Sequence, residues 1–378
     1  MIVPGGSPSA GFLSMLWGGG NLRPRAGDAR CLAEQFLSPA DARPKFLLGR
    51  NVHSAALLDR VKIDGVIDDY FTDDSWHGRP VVKCVDVPKN AIVANCSMSI
   101  SPISAFQRLG QMGLFGCVYY ADLYRARPDV VPIPFFVSET WEDLAQNEVH
   151  WTSLLGKFAD DRSRRVLEDL LRYRLTADPR YMAGYSVRLS DQYFEEFLSL
   201  QGEVFVDAGG YDGDTTAEFC KRYPDYRKIF LFEPSSNNMR SARSRLVDCR
   251  DVEFIEKGLS DSSGSLSFDA NAGSASAVVS HGSCRIEVTT LDAAVSEKVS
   301  FIKMDLEGWE LNTLVGAQRH ILSDHSKLAV SVYHRAPDFW RIPEFVASLR
   351  NDYDIYLRHY TEGWSETVMF FVPQKSAA

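Results

Sequence analysis

Three aspartates, Asp207, Asp212 and Asp214, crowd one short stretch, "VFVDAGGYDGDTT" from Val204 to Thr216, together with Gly209, Gly210 and Gly213. An apolar run that stops at an acid and turns through glycines reads as strand, tight loop and helix start. Glycine reaches φ values closed to other residues and lets a ligand lie against bare backbone. Thr215 and Glu218 match a capping box that would open the helix. This is the arrangement of a nucleotide site, and its charge selects the nucleotide. Phosphates want uncompensated amides at a helix N-terminus, so three carboxylates repel a dinucleotide's pyrophosphate. A cationic ligand, such as the sulfonium and α-ammonium of S-adenosylmethionine, is stabilised by the same carboxylates.

Further acids follow at the ends of later apolar runs. Glu233 closes "KIFLFEP", about 20 residues after Gly213, where an acid can accept hydrogen bonds from both ribose hydroxyls. Ser260 and Asp261 follow the next run and are candidates for contact with an adenine ring, although "SDSSGS" is equally good turn sequence. Asp305 and Glu307 lie just past "VSFIKM", with Gly308 at the turn into a helix, and His334 ends "KLAVSVYH". At the carboxyl edge of one parallel sheet these three would share a crevice. His334 is then the candidate general base for a reluctant hydroxyl, against the alternative of a satisfied core histidine. Asp305 would orient it, or with Glu307 hold a divalent cation through oxygen.

The elements that must position these residues are five strand-sized runs from Glu203 to His334, then "YDIYLRHY" and "ETVMFFVP" flanking the turn-like Thr361-Glu362-Gly363-Trp364. That pattern predicts a mostly parallel sheet ending in an antiparallel hairpin. A second strand and helix alternation precedes it, in "KFLLG", "DGVIDDY", "AIVANCS" and "CVYYADL". There Gly49-Arg50-Asn51 follows the first strand and Asp68 closes the second. With a single glycine at the turn, a packed accessory domain is favoured over a nucleotide site.

The chain has 378 residues, enough for two domains at roughly 150 residues each. Its 41 Lys and Arg against 50 Asp and Glu leave a net charge of -9, which argues against a nucleic-acid partner. The apolar runs fall short of the ~20 residues of a membrane span. The seven scattered cysteines include no Cys-x-x-Cys pair, so a reduced, cytoplasmic setting is expected.

From about Tyr193 to Pro373 the chain resembles the FkbM-type S-adenosylmethionine-dependent methyltransferases. The resemblance rests on "DQYFEEFLSLQGEVFVDAGGYDGDTT", "FLFEPSSNN", "GLSDSSGSLSF", "VTTLDAAV" and "FIKMDLEGWELNTLVGA". It implies an α/β fold with a Rossmann-like class I methyltransferase sheet, and O-methylation of a sugar, glycoside or natural product. Asp207, Gly209 and Gly213 would form the cofactor loop, with Gly210 and Asp214 beside them, Glu233 would take the ribose, and Asp305, Glu307 and Gly308 would form the motif after the fourth strand. The amino-terminal part resembles the Rossmann-like piece found beside some sugar-modifying enzymes.

The expected organisation is a flexible tail over residues 1–43, a Rossmann-like accessory domain over 44–138, a helical connector over 139–200 and the methyltransferase domain over 201–374. S-adenosylmethionine is the expected cofactor, a divalent cation an option, and a small-molecule acceptor the expected partner. Two other readings stay open: a non-catalytic S-adenosylmethionine-binding docking module, and a nicotinamide-dependent oxidoreductase.

Overall fold

The computed structural model describes residues 8–17, 27–268 and 284–374. It comprises two compact units, Met1–Val149 with Leu167–Val187 and Thr361–Ser365, and His150–Val166 with Arg188–Tyr360 and Glu366–Ala378.

The first unit holds strands β1 (Lys45–Leu48), β2 (Gly65–Ile67), β3 (Ser75–Trp76), β4 (Arg79–Val82), β5 (Ile92–Asn95) and β6 (Cys117–Tyr119) in the order β3-β4-β2-β1-β5-β6. All neighbours pair in parallel except β3 with β4. Its helices are α1 (Ala10–Trp17), α2 (Gly27–Leu37), α3 (Val52–Leu58), α4 (Pro102–Gln111) and α5 (Tyr120–Ala126). Two longer helices, α6 (Phe135–Leu155) and α7 (Asp161–Thr176), contribute residues to both units.

Two sequence expectations change here. Residues 27–37, assigned to a flexible tail, form α2, because Ala33 and Phe36 are both fully buried and so anchor the segment. Residues 139–200, expected as a connector, are divided between the units, since leucines and aromatics at helical spacing, such as Trp151, Leu154, Leu167 and Leu170, are buried as core.

The second unit carries β7 (Val204–Ala208), β8 (Lys228–Phe232), β9 (Val252–Ile255), β10 (Gly258–Leu259), β11 (Gly264–Phe268), β12 (Cys284–Thr289), β13 (Phe301–Met304), β14 (Lys327–Ser331), β15 (Tyr353–His359) and β16 (Thr367–Pro373). Its helices are α8 (Asp214–Arg222), α9 (Ser236–Arg245), α10 (Leu291–Ala294), α11 (Glu310–Val315) and α12 (Asp338–Leu349). The seven-stranded sheet has the order β15-β16-β14-β13-β7-β8-β9. Strands β14, β13, β7, β8 and β9 are parallel, and β16 runs antiparallel to both β14 and β15. This is the parallel sheet with a terminal hairpin that the sequence predicts.

Buried strands on both sides explain the near-continuous apolar runs. Phe205 of β7 stacks on Phe301 of β13 at 5.0 Å, in a cluster with Phe219, Ile229, Ala329 and Phe370. A second cluster joins Leu231 to Met239, Ala242 and Leu246. β10, β12 and β11 form a separate three-stranded sheet that the sequence pattern does not announce. Among the described residues, no helix is long and apolar enough to cross a membrane.

Candidate functional site

In a parallel sheet the strands end on one edge, and ligands bind in the crevice outside those carboxyl ends. β7, β8, β13 and β14 bring most of the sequence candidates to that edge. The glycine turn after β7 is held tightly: the amides of Gly209 and Gly210 both donate to Phe232 O at the end of β8, at 3.0 and 2.9 Å. Gly209 has φ +79, and a Cβ there would lie 2.0 Å from the Asp305 carbonyl oxygen. The turn after β7 and the turn after β13 therefore touch through backbone, which only glycine permits. Gly213, at φ +84, is the residue from which α8 starts. The helix begins at Asp214, one residue before Thr215, and the expected capping box does not form.

The charge on this loop differs from the sequence expectation. Asp207 is fully buried and accepts from Lys303 Nζ at 3.0 Å and Thr216 Oγ1 at 2.6 Å. Lys303 Nζ also donates to Gly209 O at 2.7 Å. Burial opposes its charge, but Asp207 and Asp305 outweigh that and raise its pKa. Asp212 pairs with Arg245. Of the three aspartates only Asp214 is left exposed without an ion pair among the described residues. Asp207 thus fastens the loop from behind, and an anionic loop facing a cation is not what the fold builds. Lys303 was missed as a site residue, although a lysine inside "FIKM" must find a buried anion.

The negative charge sits instead where β13 and β14 end. Asp305, Glu307 and Glu310 surround His334. Glu310 Oε1 is 2.9 Å from Nδ1, Glu307 Oε2 is 3.3 Å from Nε2, and Asp305 Oδ1 is 3.5 Å from Nε2. β14 closes at Ser331, so His334 lies in the turn beyond the strand it was expected to end.

Glu307 and Gly308 both take positive φ, at 53° and 89°, a conformation that is strained for the glutamate. Burial opposes protonation of His334, but Glu310, Asp305 and Glu307 raise the imidazole to about 10. Burial, with Asp305 and Glu310, raises Glu307 to about 7. Asp305 is fixed from below by Tyr193 Oη at 2.8 Å and Tyr333 Oη at 3.4 Å. Glu366, which accepts from Gln192 Nε2 at 2.8 Å, is raised to about 7 by burial and by Asp305. Tyr193, Tyr333 and Glu366 are not singled out by the sequence, since each lies within or beside apolar runs that read as core, and Glu310 reads there as an acid that favours a helix N-terminus.

Glu233 stands after β8, almost wholly buried, and accepts from the amides of Tyr211 and Ser235 at 3.0 and 2.9 Å and from Asn238 Nδ2 at 3.3 Å. Burial raises its pKa against these donors, and among the described residues no ion pair compensates it. Ser260 Oγ accepts from Trp309 Nε1 at 3.1 Å, and Asp261 accepts from Asn312 Nδ2 at 3.2 Å. Both are therefore tied to the segment that follows β13. The edge unites Glu233, the glycine turn, Asp305, Glu307 and His334.

Residues 207–361 match the family model of the methyltransferase FkbM domain. The fold of the chain is similar to that of Methyltransferase FkbM from Methylobacillus flagellatus, with a TM-score of 0.70 at 22% identity over 96% of this chain and 98% of that one. Weaker likenesses are an rRNA methylase from Streptococcus thermophilus, at TM-score 0.32 and 19% identity over 47% of this chain and 90% of that one, and Aeropyrum pernix fibrillarin with bound S-adenosyl-L-methionine, at TM-score 0.32 and 16% identity over 49% of this chain and 71% of that one. No curated protein matches the chain. The glycine turn and the acids after β8 and β13 all lie within residues 207–361, the segment that matches the methyltransferase FkbM domain.

Proposed function

We propose that the second unit transfers a methyl group from S-adenosylmethionine to a hydroxyl oxygen of a small acceptor, a glycoside, nucleotide-linked sugar or related natural product. The observation that carries this reading is the convergence on one sheet edge of Glu233, the glycine turn and the Asp305, Glu307 and His334 cluster. The residues fit the cofactor. Glu233 has three donors on a carboxylate with about four acceptor positions, which leaves room for a ribose hydroxyl, and the carboxylates after β13 suit a cation. Gly209, Gly210, Gly213, Asp214, Ser260 and Asp261 would frame it, and Asp207 would act through Lys303 by holding the turn. When bound, S-adenosylmethionine supplies a methyl carbon activated by its positive sulfur.

The chain's own residues supply position and a proton acceptor. Holding the acceptor oxygen in near-attack geometry is the larger contribution. Among the cluster, Glu307 and Asp305 are 28% and 24% exposed and His334 only 6%. Asp305 already accepts from two tyrosines, so Glu307 is the carboxylate free to take the hydroxyl proton, with His334 behind it as a positioning residue. A general base placed this way contributes about 10²–10⁴ in rate. We also propose the cytoplasm as the location, in keeping with the scattered cysteines.

Incubation with methyl-labelled S-adenosylmethionine and a panel of sugar-bearing acceptors tests the reading. Label should enter a hydroxyl-bearing acceptor, and Glu307→Gln or His334→Ala should abolish transfer while S-adenosylhomocysteine still binds. Binding of S-adenosylhomocysteine with no transfer to any acceptor would favour a docking module. Tighter binding of NAD would overturn the cofactor assignment.

A further inference from the structure

Asp305, Glu310 and His334 each present one ligand atom, and these atoms lie within 4.8 Å of one another. A divalent ion bonded at about 2.0–2.2 Å spaces its ligands by roughly 3–4.4 Å, so the group needs only a small contraction to close on one. The cluster has a second property that a surface patch of acids lacks. Glu310 is completely buried, and its Oε2 has no hydrogen-bond partner. The His334 side chain is 6% exposed, and neither ring nitrogen makes an aligned hydrogen bond, even though Glu310 Oε1 is 2.9 Å from Nδ1. Buried polar atoms are otherwise nearly always satisfied, and the unsatisfied ones here belong to two of the three residues whose ligand atoms lie within 4.8 Å of one another. Among the described residues no lysine or arginine forms an ion pair with Asp305, Glu307 or Glu310. Lys303 is committed to Asp207 and Gly209, and Arg335, which follows His334 and packs against Gly308, forms no ion pair with these carboxylates among the described residues.

We infer that Asp305, Glu310 and His334 bind a divalent metal ion of the Mn2+ or Zn2+ kind. One imidazole nitrogen with two carboxylates is a mixed donor set, which suits these ions better than Ca2+ or Mg2+, whose sites are built from oxygen. The site differs from the Asp305 and Glu307 pair expected from sequence, because Glu310 turns inward at the start of α11 and Glu307 stays at the rim. It is separate from the choice of methyl acceptor, and metal binding is measurable without any turnover.

The test uses the full chain, stripped with a chelator and dialysed, and titrated with Mn2+ while free Mn2+ is followed by electron paramagnetic resonance. One Mn2+ per chain should bind and be displaced by Zn2+, and Glu310→Gln and His334→Ala should each weaken binding about tenfold or more. Asp305→Asn serves where either variant does not fold. Calorimetry with S-adenosylhomocysteine on the same metal-free samples keeps the two readings apart. Metal-free protein that binds S-adenosylhomocysteine but leaves the Mn2+ signal unchanged through the millimolar range overturns the site. So does Mn2+ binding that the three substitutions leave untouched. Mn2+ uptake without S-adenosylhomocysteine binding upholds the metal site and removes the cofactor reading.

Discussion

The two units repeat one strand order and differ in what they place on it. Numbered by parallel strand, both sheets run 3-2-1-4-5, with β1 central in the first and β7 central in the second. Both follow the central strand with a turn containing a glycine at positive φ, Gly49 at 93° and Gly209 at 79°, and both end the next strand beside an acid, Asp68 or Glu233. In the first unit the turn answers its own acid: Arg50 Nε donates to Asp68 at 2.7 Å, and the guanidinium lies 3.5 Å over Phe71. In the second unit Glu233 meets only amide donors. Burial raises both carboxyls, but Arg50 brings Asp68 below its ordinary range while Glu233 stays above. Strand order therefore fixes where an acid stands, and the residue types in the turn decide whether it is left for a ligand.

The largest effect should come from the ion pairs behind the two turns. Lys303→Met leaves Asp207 buried without its countercharge, with only the Thr216 hydroxyl donating to it, which should cost about 3–5 kcal/mol. Arg50→Met breaks a pair whose members are 27% and 17% exposed, so about 1 kcal/mol is expected there. Urea unfolding of both variants compares them directly, and equal losses would mean that Lys303 is not the keystone of the glycine turn.

The glycines give the next contrast. Alanine at Gly209 would set a Cβ 2.0 Å from the Asp305 carbonyl, whereas at Gly49 the nearest atom is 3.6 Å away. Gly49→Ala should cost only the positive-φ penalty of about 1–2 kcal/mol. Gly209→Ala should cost about 3 kcal/mol and also reduce S-adenosylhomocysteine affinity, because the turns after β7 and β13 must separate. Melting temperatures in the same order for both variants would show that the close approach is readily relieved.

These contrasts also mark what the sequence could disclose. Strands, sheet type, hairpin and the acids after β8 and β13 were legible because buried parallel strands are short, apolar and punctuated by glycine or acid. The division of charge was not. "VFVDAGGYDGDTT" reads as three free carboxylates, and only the register that sets Lys303 beside Asp207 shows that the first is neutralised. Glu310 looks like an ordinary first-turn acid of a helix until the positive φ of Glu307 and Gly308 reverses the chain and turns it toward His334. Tyr193 sits far from Asp305 in sequence, and its hydroxyl contact depends on tertiary packing that no local pattern encodes.

At the level of ligand affinity, Glu233→Gln should weaken S-adenosylhomocysteine by roughly tenfold to a hundredfold, the worth of about 1.5–3 kcal/mol for hydrogen bonds to a charged acceptor. Asp68→Asn should leave that affinity unchanged, since Arg50 already occupies the acid. Calorimetry on the pair decides it, and an affinity loss in the Asp68 variant would mean that the first unit, too, takes part in cofactor binding.

The smallest and most specific effect is in pH. Burial lifts the Glu233 carboxyl above 4.5, so on acidification it gains a proton earlier than an ordinary glutamate, and each protonated molecule loses an acceptor for the ribose. S-adenosylhomocysteine affinity should therefore begin to fall at a pH above 4.5. Asp68 has the opposite sign: burial raises it, but Arg50 and the amides of Tyr70 and Phe71 hold it below 3.8. Its contribution to stability is present above 3.8 and disappears only as pH drops through its lower folded value. Affinity should then decline while the Arg50 and Asp68 pair is still intact, so calorimetry and thermal unfolding followed from neutral pH downward should part company. In Asp68→Asn the acid limb of the unfolding curve should flatten while the affinity curve is unmoved, and in Glu233→Gln the affinity curve should lose its acid limb. If both curves instead shifted together in either variant, the two acids would be one coupled system and the separation of roles between the turns would fail.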